Sequence, residues 1–86
     1  MTVDKAAAIR YKKGQKAPFL LCKGRKHMAE KLIREAEKFN IPLVKNSELL
    51  EELIELEPME AIPEELFEAV AEILAFVYSQ EGRMNL

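Results

Sequence analysis

Cysteine and histidine each occur once in these 86 residues, and that scarcity removes whole classes of chemistry. A single cysteine, Cys22, excludes an internal disulfide and suits a reducing compartment. It reads as a small apolar residue inside a strand. One Cys and one His fall short of a structural zinc site. No apolar run approaches the roughly 20 residues of a membrane span. The first residues are charged and lack the apolar core of a secretory signal. His27 has no nucleophile beside it and reads as an exposed helix residue. No Ser or Cys has a base partner in view, and the glutamates fall on the outer faces of amphipathic helices. The chain therefore reads as non-catalytic and free of cofactors.

What is present is apolar and charged in the proportions of a folded soluble domain, 49% and 33%. Its length fits one domain over residues 1–86, with 1–4 and 81–86 as flexible ends. The net charge of −2 conceals two opposed halves. Residues 1–46 hold 12 Lys or Arg against 4 Asp or Glu, and residues 47–86 hold 1 Arg against 11 Glu. Either the halves neutralise one another within the fold, or each faces a different partner.

The periodicity predicts an α/β fold with a small sheet of about three strands. Lys5 to Tyr11 can form the first, with Lys5, Ala7, Ile9 and Tyr11 on one face and Ala6, Ala8 and Arg10 on the other. Its three alanines weaken that expectation and leave a helical turn as an alternative. A second strand spans 18–23, broken by Gly24, and a third spans 42–45. Between them, 25–39 forms a helix whose apolar face carries Met28, Ala29, Leu32, Ile33 and Ala36. Strands joined in this way suit a parallel pair with a right-handed crossover. Asn40 ends that helix and Pro42 cannot continue it. Asn46 or Ser47 caps a second helix over 47–57, which Pro58 stops. Pro63, Glu64 and Glu65 start a third, over 63–79, with Gly82 beyond its end. That helix has two apolar stripes, one through Leu66, Val70, Ala71, Leu74, Val77 and Tyr78, the other through Ala69, Ile73 and Phe76. So wide an apolar arc is either wedged in the core or turned in part to a partner.

In open parallel sheets, ligands bind beyond the carboxyl ends of the strands. Those ends here carry Lys23-Gly24-Arg25-Lys26-His27 and Lys45-Asn46-Ser47. Such a rim, at a helix start, can hold an anion or present a solvated basic surface. It is neither a Walker loop nor a dinucleotide fingerprint. A small RNA-binding domain using the basic half, residues 1–46, is the alternative function; few aromatics and an acidic second half stand against it.

Three segments, AIRY (Ala8 to Tyr11), CKGR with its helix to NIPLVKN (Cys22 to Asn46), and IPEELFEAVAEILAFVY (Ile62 to Tyr78), stand out together. They resemble the cytoplasmic C-terminal domain of the FlhB/YscU family, the substrate-specificity switch proteins of flagellar and type III export machines. The likeness covers about residues 5–80 in matching order. It implies a small central sheet surrounded by helices, and a non-catalytic adaptor that resembles the released C-terminal fragment of FlhB and substitutes for it in export and specificity switching. The implied partners are a membrane-bound FlhB-like export-gate protein, other apparatus components and export substrates, met at the inner face of the cytoplasmic membrane. No nucleic acid and no membrane insertion are expected, and the oligomeric state is open. Family members cleave themselves at an Asn-Pro-Thr-His loop. Met1-Thr2-Val3-Asp4 stands there instead, so self-cleavage is not expected. In the family, a strand before that loop pairs with the one after it. Its absence here would leave Lys5–Tyr11 as an open edge for strand addition. The expected partner-binding residues are Lys5, Ala7, Ile9 and Tyr11 on that edge, with Lys23, Arg25, Lys26, Lys45 and Asn46 on the basic rim.

Overall fold

A computed structural model describes residues 4–12 and 14–84, with side chains to Val77. Two strands, β1 (Lys5–Arg10) and β2 (Phe19–Arg25), pair antiparallel as a ribbon. A turn at Lys12–Gln15 helps to reverse the chain between them. The Gln15 amide donates to the Lys12 carbonyl at 3.0 Å, and the Lys12 amide donates to the Gln15 Oε1 at 2.9 Å. Gly14 has φ 95°, a left-handed backbone that glycine adopts without strain.

The ribbon separates two packing layers. On one face lie Ala6, Ala8, Cys22 and Gly24, paired across the strands, and α1 (His27–Lys38) covers them with its buried Ala29. The approach is very close. A Cβ on Gly24 would stand 2.8 Å from the Met28 Cβ and 2.9 Å from the Met28 carbonyl carbon. This explains the alanines of β1: the strand gives up intrinsic propensity so that a helix can lie low on it. On the other face, Leu20 joins Leu49 and Leu53 of α2 (Ser47–Leu53), Leu56, Ile62, and Val70 of α3 (Phe67–Met84) in the main core. Ala7 and Ile9 pack against that cluster from β1. The register slips between Ala8 and Ile9, a bulge that leaves Leu21 exposed.

The α/β class stands, but the sheet has two strands where three were expected. Residues 42–45 form no strand. At the start of β2 the edge that a parallel partner would use is taken by residues 59–62. The Leu20 amide donates to the Glu60 carbonyl (2.9 Å), Met59 to Leu20 (2.7 Å), and Ile62 to Pro18 (2.9 Å). Nor does Gly24 break β2; the strand runs through it to Arg25, and α1 begins two residues later. At the other end of α1, Asn40 behaves as read. It adopts φ 57°, its amide donates to Glu37 and that of Ile41 to Ala36, the paired bonds of a Schellman stop.

Asn46 caps α2, its Oδ1 accepting from the Leu49 amide at 3.1 Å. That helix ends at Leu53, before the expected 57. Tighter bonds from Glu55 to Glu52 and from Leu56 to Leu53 turn the chain so that Leu56 enters the core. A 3-10 turn, Glu64–Leu66, precedes α3, which continues past Gly82 to Met84. Of the second stripe on α3, Ala69 and Ile73 pack against the core while Phe76 stays half exposed. In the first stripe Ala71 is exposed, and the Tyr78 side chain lies outside the described residues.

Gly24→Ala should lower stability by about 1–3 kcal/mol, the usual cost of overpacking where backbone must move. Urea unfolding followed by far-UV circular dichroism measures this. An unchanged midpoint would show that α1 does not lie as close as described.

Candidate docking edge and basic rim

The pairing register decides which backbone groups of β1 face outward. In an antiparallel pair, alternate residues exchange both hydrogen bonds with their partner, and those between turn theirs away. The Lys26 amide donates to the Asp4 carbonyl at 2.6 Å. Asp4 therefore belongs to the bonded set, and so do Ala6 and Ala8. Beyond the bulge, Leu20 uses its amide and carbonyl on Glu60 and Met59, away from β1. Its partner Ile9 is thus an outward residue. Lys5, Ala7 and Ile9 direct their amides and carbonyls to the far side of β1, and no strand pairs there among the described residues.

Side chains follow a different logic. The Lys5 Nζ donates to the Glu51 Oε1 at 2.6 Å, tying β1 to α2. Ala7 and Ile9 serve the core. Tyr11, half-buried, lies just beyond the strand. Of the expected edge residues, Lys5, Ala7 and Ile9 turn their backbone groups outward while their side chains serve the domain, and Tyr11 is not part of the strand.

The basic rim is less uniform. The Lys23 Nζ donates to the Ile54 carbonyl at 3.0 Å, satisfying an acceptor at the end of α2. Arg25 is exposed beside an open depression lined by Lys23, Gly24, Met28, Ile54, Glu55 and Glu57. Two carboxylates there make it a poor seat for an anion. The strand-end argument for a ligand also fails, since the sheet is an antiparallel ribbon. Lys26 and His27 are exposed at the start of α1, with Lys26 at φ 51°. Lys45 is exposed, and Asn46 is spent on the α2 cap. Basic and acidic halves therefore meet along the seam between the ribbon and α2. Among the described residues no group of three or more His, Cys, Asp or Glu could hold a metal, and no helix is long and apolar enough to cross a membrane.

The sequence reading missed one feature of the surface. Phe39, Ile41, Leu43 and Val44 are 64%, 57%, 53% and 43% exposed, a large apolar run on one short segment. Its signal was visible as a strand; that the strand lacks a partner was not.

Comparison with known proteins follows the same outline. The sequence model of the FlhB HrpN YscU SpaS family matches residues 3–77. The uncharacterized protein YlqH of Bacillus subtilis is 38% identical over 77 residues, 88% of this chain and 83% of YlqH. The flagellar biosynthetic protein FlhB of Bacillus subtilis is 35% identical over 81 residues, 92% of this chain but 22% of FlhB. Among solved structures, the PscU C-terminal domain superposes with a TM-score of 0.79 at 29% identity, over 85% of this chain and 95% of that one. A mutated EscU/SpaS C-terminal domain gives 0.84 at 26% identity, over 88% and 96%.

The Lys5 ammonium holds the Glu51 carboxyl below its ordinary value, first through the hydrogen bond, then through charge, with Arg25 adding to it. A depressed folded pKa contributes stability that is present above the unfolded value, 4.5, and lost as pH falls through the folded one. Glu51→Gln should therefore flatten the acid limb of a stability–pH profile at low salt. The two profiles should converge at roughly 1 M salt, where screening acts within about 3 Å. Parallel acid limbs at low salt would show that the pair does nothing.

Proposed function

The chain belongs to the FlhB, HrpN, YscU and SpaS family, and from that membership we propose that it is a non-catalytic component of a flagellar or type III protein export apparatus. It stands in for the C-terminal domain of an FlhB-like protein in export and substrate switching, on the inner face of the cytoplasmic membrane. Its primary partner is a membrane-bound FlhB-like protein, which it meets by accepting a strand on the outer edge of β1. Arg25, Lys26 and Lys45 frame that contact, together with export substrates or other apparatus components.

One observation carries this reading. A domain that shares its fold with PscU and EscU/SpaS C-terminal domains turns the amides and carbonyls of Lys5, Ala7 and Ile9 outward, with no strand on them among the described residues. An edge of that kind is a template for another chain. Since the chain spans about a fifth of FlhB, only the work of that C-terminal portion is assigned to it. No observation favours nucleic acid, because Lys23 is bound to Ile54 and carboxylates share the rim.

Expressed in a cell whose FlhB ends before its C-terminal domain, the chain should restore secretion of flagellar subunits into the medium. Ala7→Pro, which removes an outward donor without touching the ladder to β2, should abolish that rescue while the purified domain keeps its circular dichroism spectrum. Failure of the unmodified chain to restore any secretion would reject the assignment.

A further inference from the structure

The outer edge of β2 is closed only in part. Residues 59–62 bond to it at Pro18 and Leu20 and go no further. Beyond the bulge, Cys22 and Gly24 use their amides and carbonyls on Ala8 and Ala6, so those of Lys23 and Arg25 point away from β1. No backbone bond reaches them on that side among the described residues. The chain does run past them. The Ile54 carbonyl accepts from the Lys23 Nζ at 3.0 Å, and the Met59 amide donates to the Leu20 carbonyl at 2.7 Å. Residues 54–59 therefore travel beside β2 in the opposite direction, and at Lys23 only a side chain spans the gap. That gap is the open depression beside Arg25, about 520 Å³, within the range of roughly 300–1,000 Å³ typical of ligand sites. Lys23 to Arg25 form one wall, Ile54, Glu55 and Glu57 the other, and Met28 of α1, 51% exposed, closes one side.

We propose that this depression is a second docking edge, which holds a short extended segment of another polypeptide in which cationic and apolar residues alternate. The segment pairs with the amides and carbonyls of Lys23 and Arg25, continuing the line that residues 59–62 begin. Its side chains alternate between the faces as those of β2 do. Those level with Gly24 face α1 and rest on Met28, since Gly24 has no side chain of its own there. Those level with Lys23 and Arg25 face α2 and meet Glu55 and Glu57. Charge decides what they are. Residues 46–82 contain no Lys or Arg, and neither Glu55 nor Glu57 has an ion-pair partner among the described residues. The cations of the opposite wall are already engaged. Lys23 is bound to the Ile54 carbonyl, and Arg25 stands near enough to Glu51 to help lower its pKa. Carboxylates are thus the unmatched charge of the site, and the α2-facing side chains of the occupant are cationic. The site lies on the opposite edge of the ribbon from the outer edge of β1, so the two segments do not compete and one domain holds both at once.

The probe is a capped, dye-labelled peptide, Val-Lys-Val-Lys-Val, titrated with the whole chain at low salt and followed by fluorescence anisotropy. Saturable binding is expected, weakened at least tenfold when Glu replaces both Lys. The double variant Glu55→Gln, Glu57→Gln should weaken it at least tenfold as well, and both side chains are exposed, so the fold should tolerate the change. A peptide of the same composition without the alternation, Lys-Lys-Val-Val-Val, should bind at least tenfold more weakly. In the unmodified chain, the amide resonances of Lys23 and Arg25 should shift on adding the peptide. No saturable binding, or binding unchanged in the double variant, overturns the proposal. Equal binding of the two peptides reduces it to charge attraction and overturns it too. Shifts confined to Lys5, Ala7 and Ile9 also overturn it, and they leave the β1 reading standing.

Discussion

A two-stranded ribbon has two faces and two edges to satisfy, and it is marginally stable until other elements cover it. The structure follows from how this chain meets that demand. α1 covers one face at a distance that only Gly24 and the alanines of β1 permit. The leucine cluster of α2, with Ile62 and Val70, covers the other. Residues 59–62 close the outer edge of β2 along Pro18–Leu20 with three backbone bonds. The outer edge of β1 has no strand against it among the described residues.

The charge asymmetry has a structural use under this arrangement. Lys5 and Lys23 of the basic half reach Glu51 and the Ile54 carbonyl of the acidic half, fastening α2 across the ribbon. The other described cations of that half, Arg10, Lys12, Lys16, Arg25, Lys26, Lys31, Arg34, Lys38 and Lys45, stand exposed. The neutralising reading of the charge pattern therefore holds at the α2 seam. Met59 adds a local cost, since a side chain at φ 73° sits in a backbone region where glycine would be unstrained.

Much of this was legible before any coordinates. The Asn46 cap, the Asn40 stop and the apolar stripes of the helices follow from local chemistry, and each formed close to where the pattern put it. Family membership was legible in AIRY, CKGR and the Ile62–Tyr78 segment, and the family match over residues 3–77 agrees. The partners of the strands were not legible. Leu43 and Val44 have the composition of a buried strand, and no local rule reveals that the start of the edge beside β2 is already occupied by residues 59–62. Gly24 read as a breaker because its close neighbour, Met28, lies on an element whose approach only the tertiary fold defines. For the same reason, Lys5 looked like an edge residue and Lys23 like a rim residue, although their partners are more than thirty positions away.

The central claim is that β1 offers its outward backbone groups to solvent in the absence of a partner, and amide hydrogen exchange of the free domain tests it most directly. The account predicts an alternating pattern along one strand. The amides of Ala6, Ala8 and Arg10, bonded to β2, exchange slowly, and those of Lys5, Ala7 and Ile9 exchange orders of magnitude faster. Uniform protection from Lys5 to Arg10 would mean that the edge is already covered, and would contradict the account.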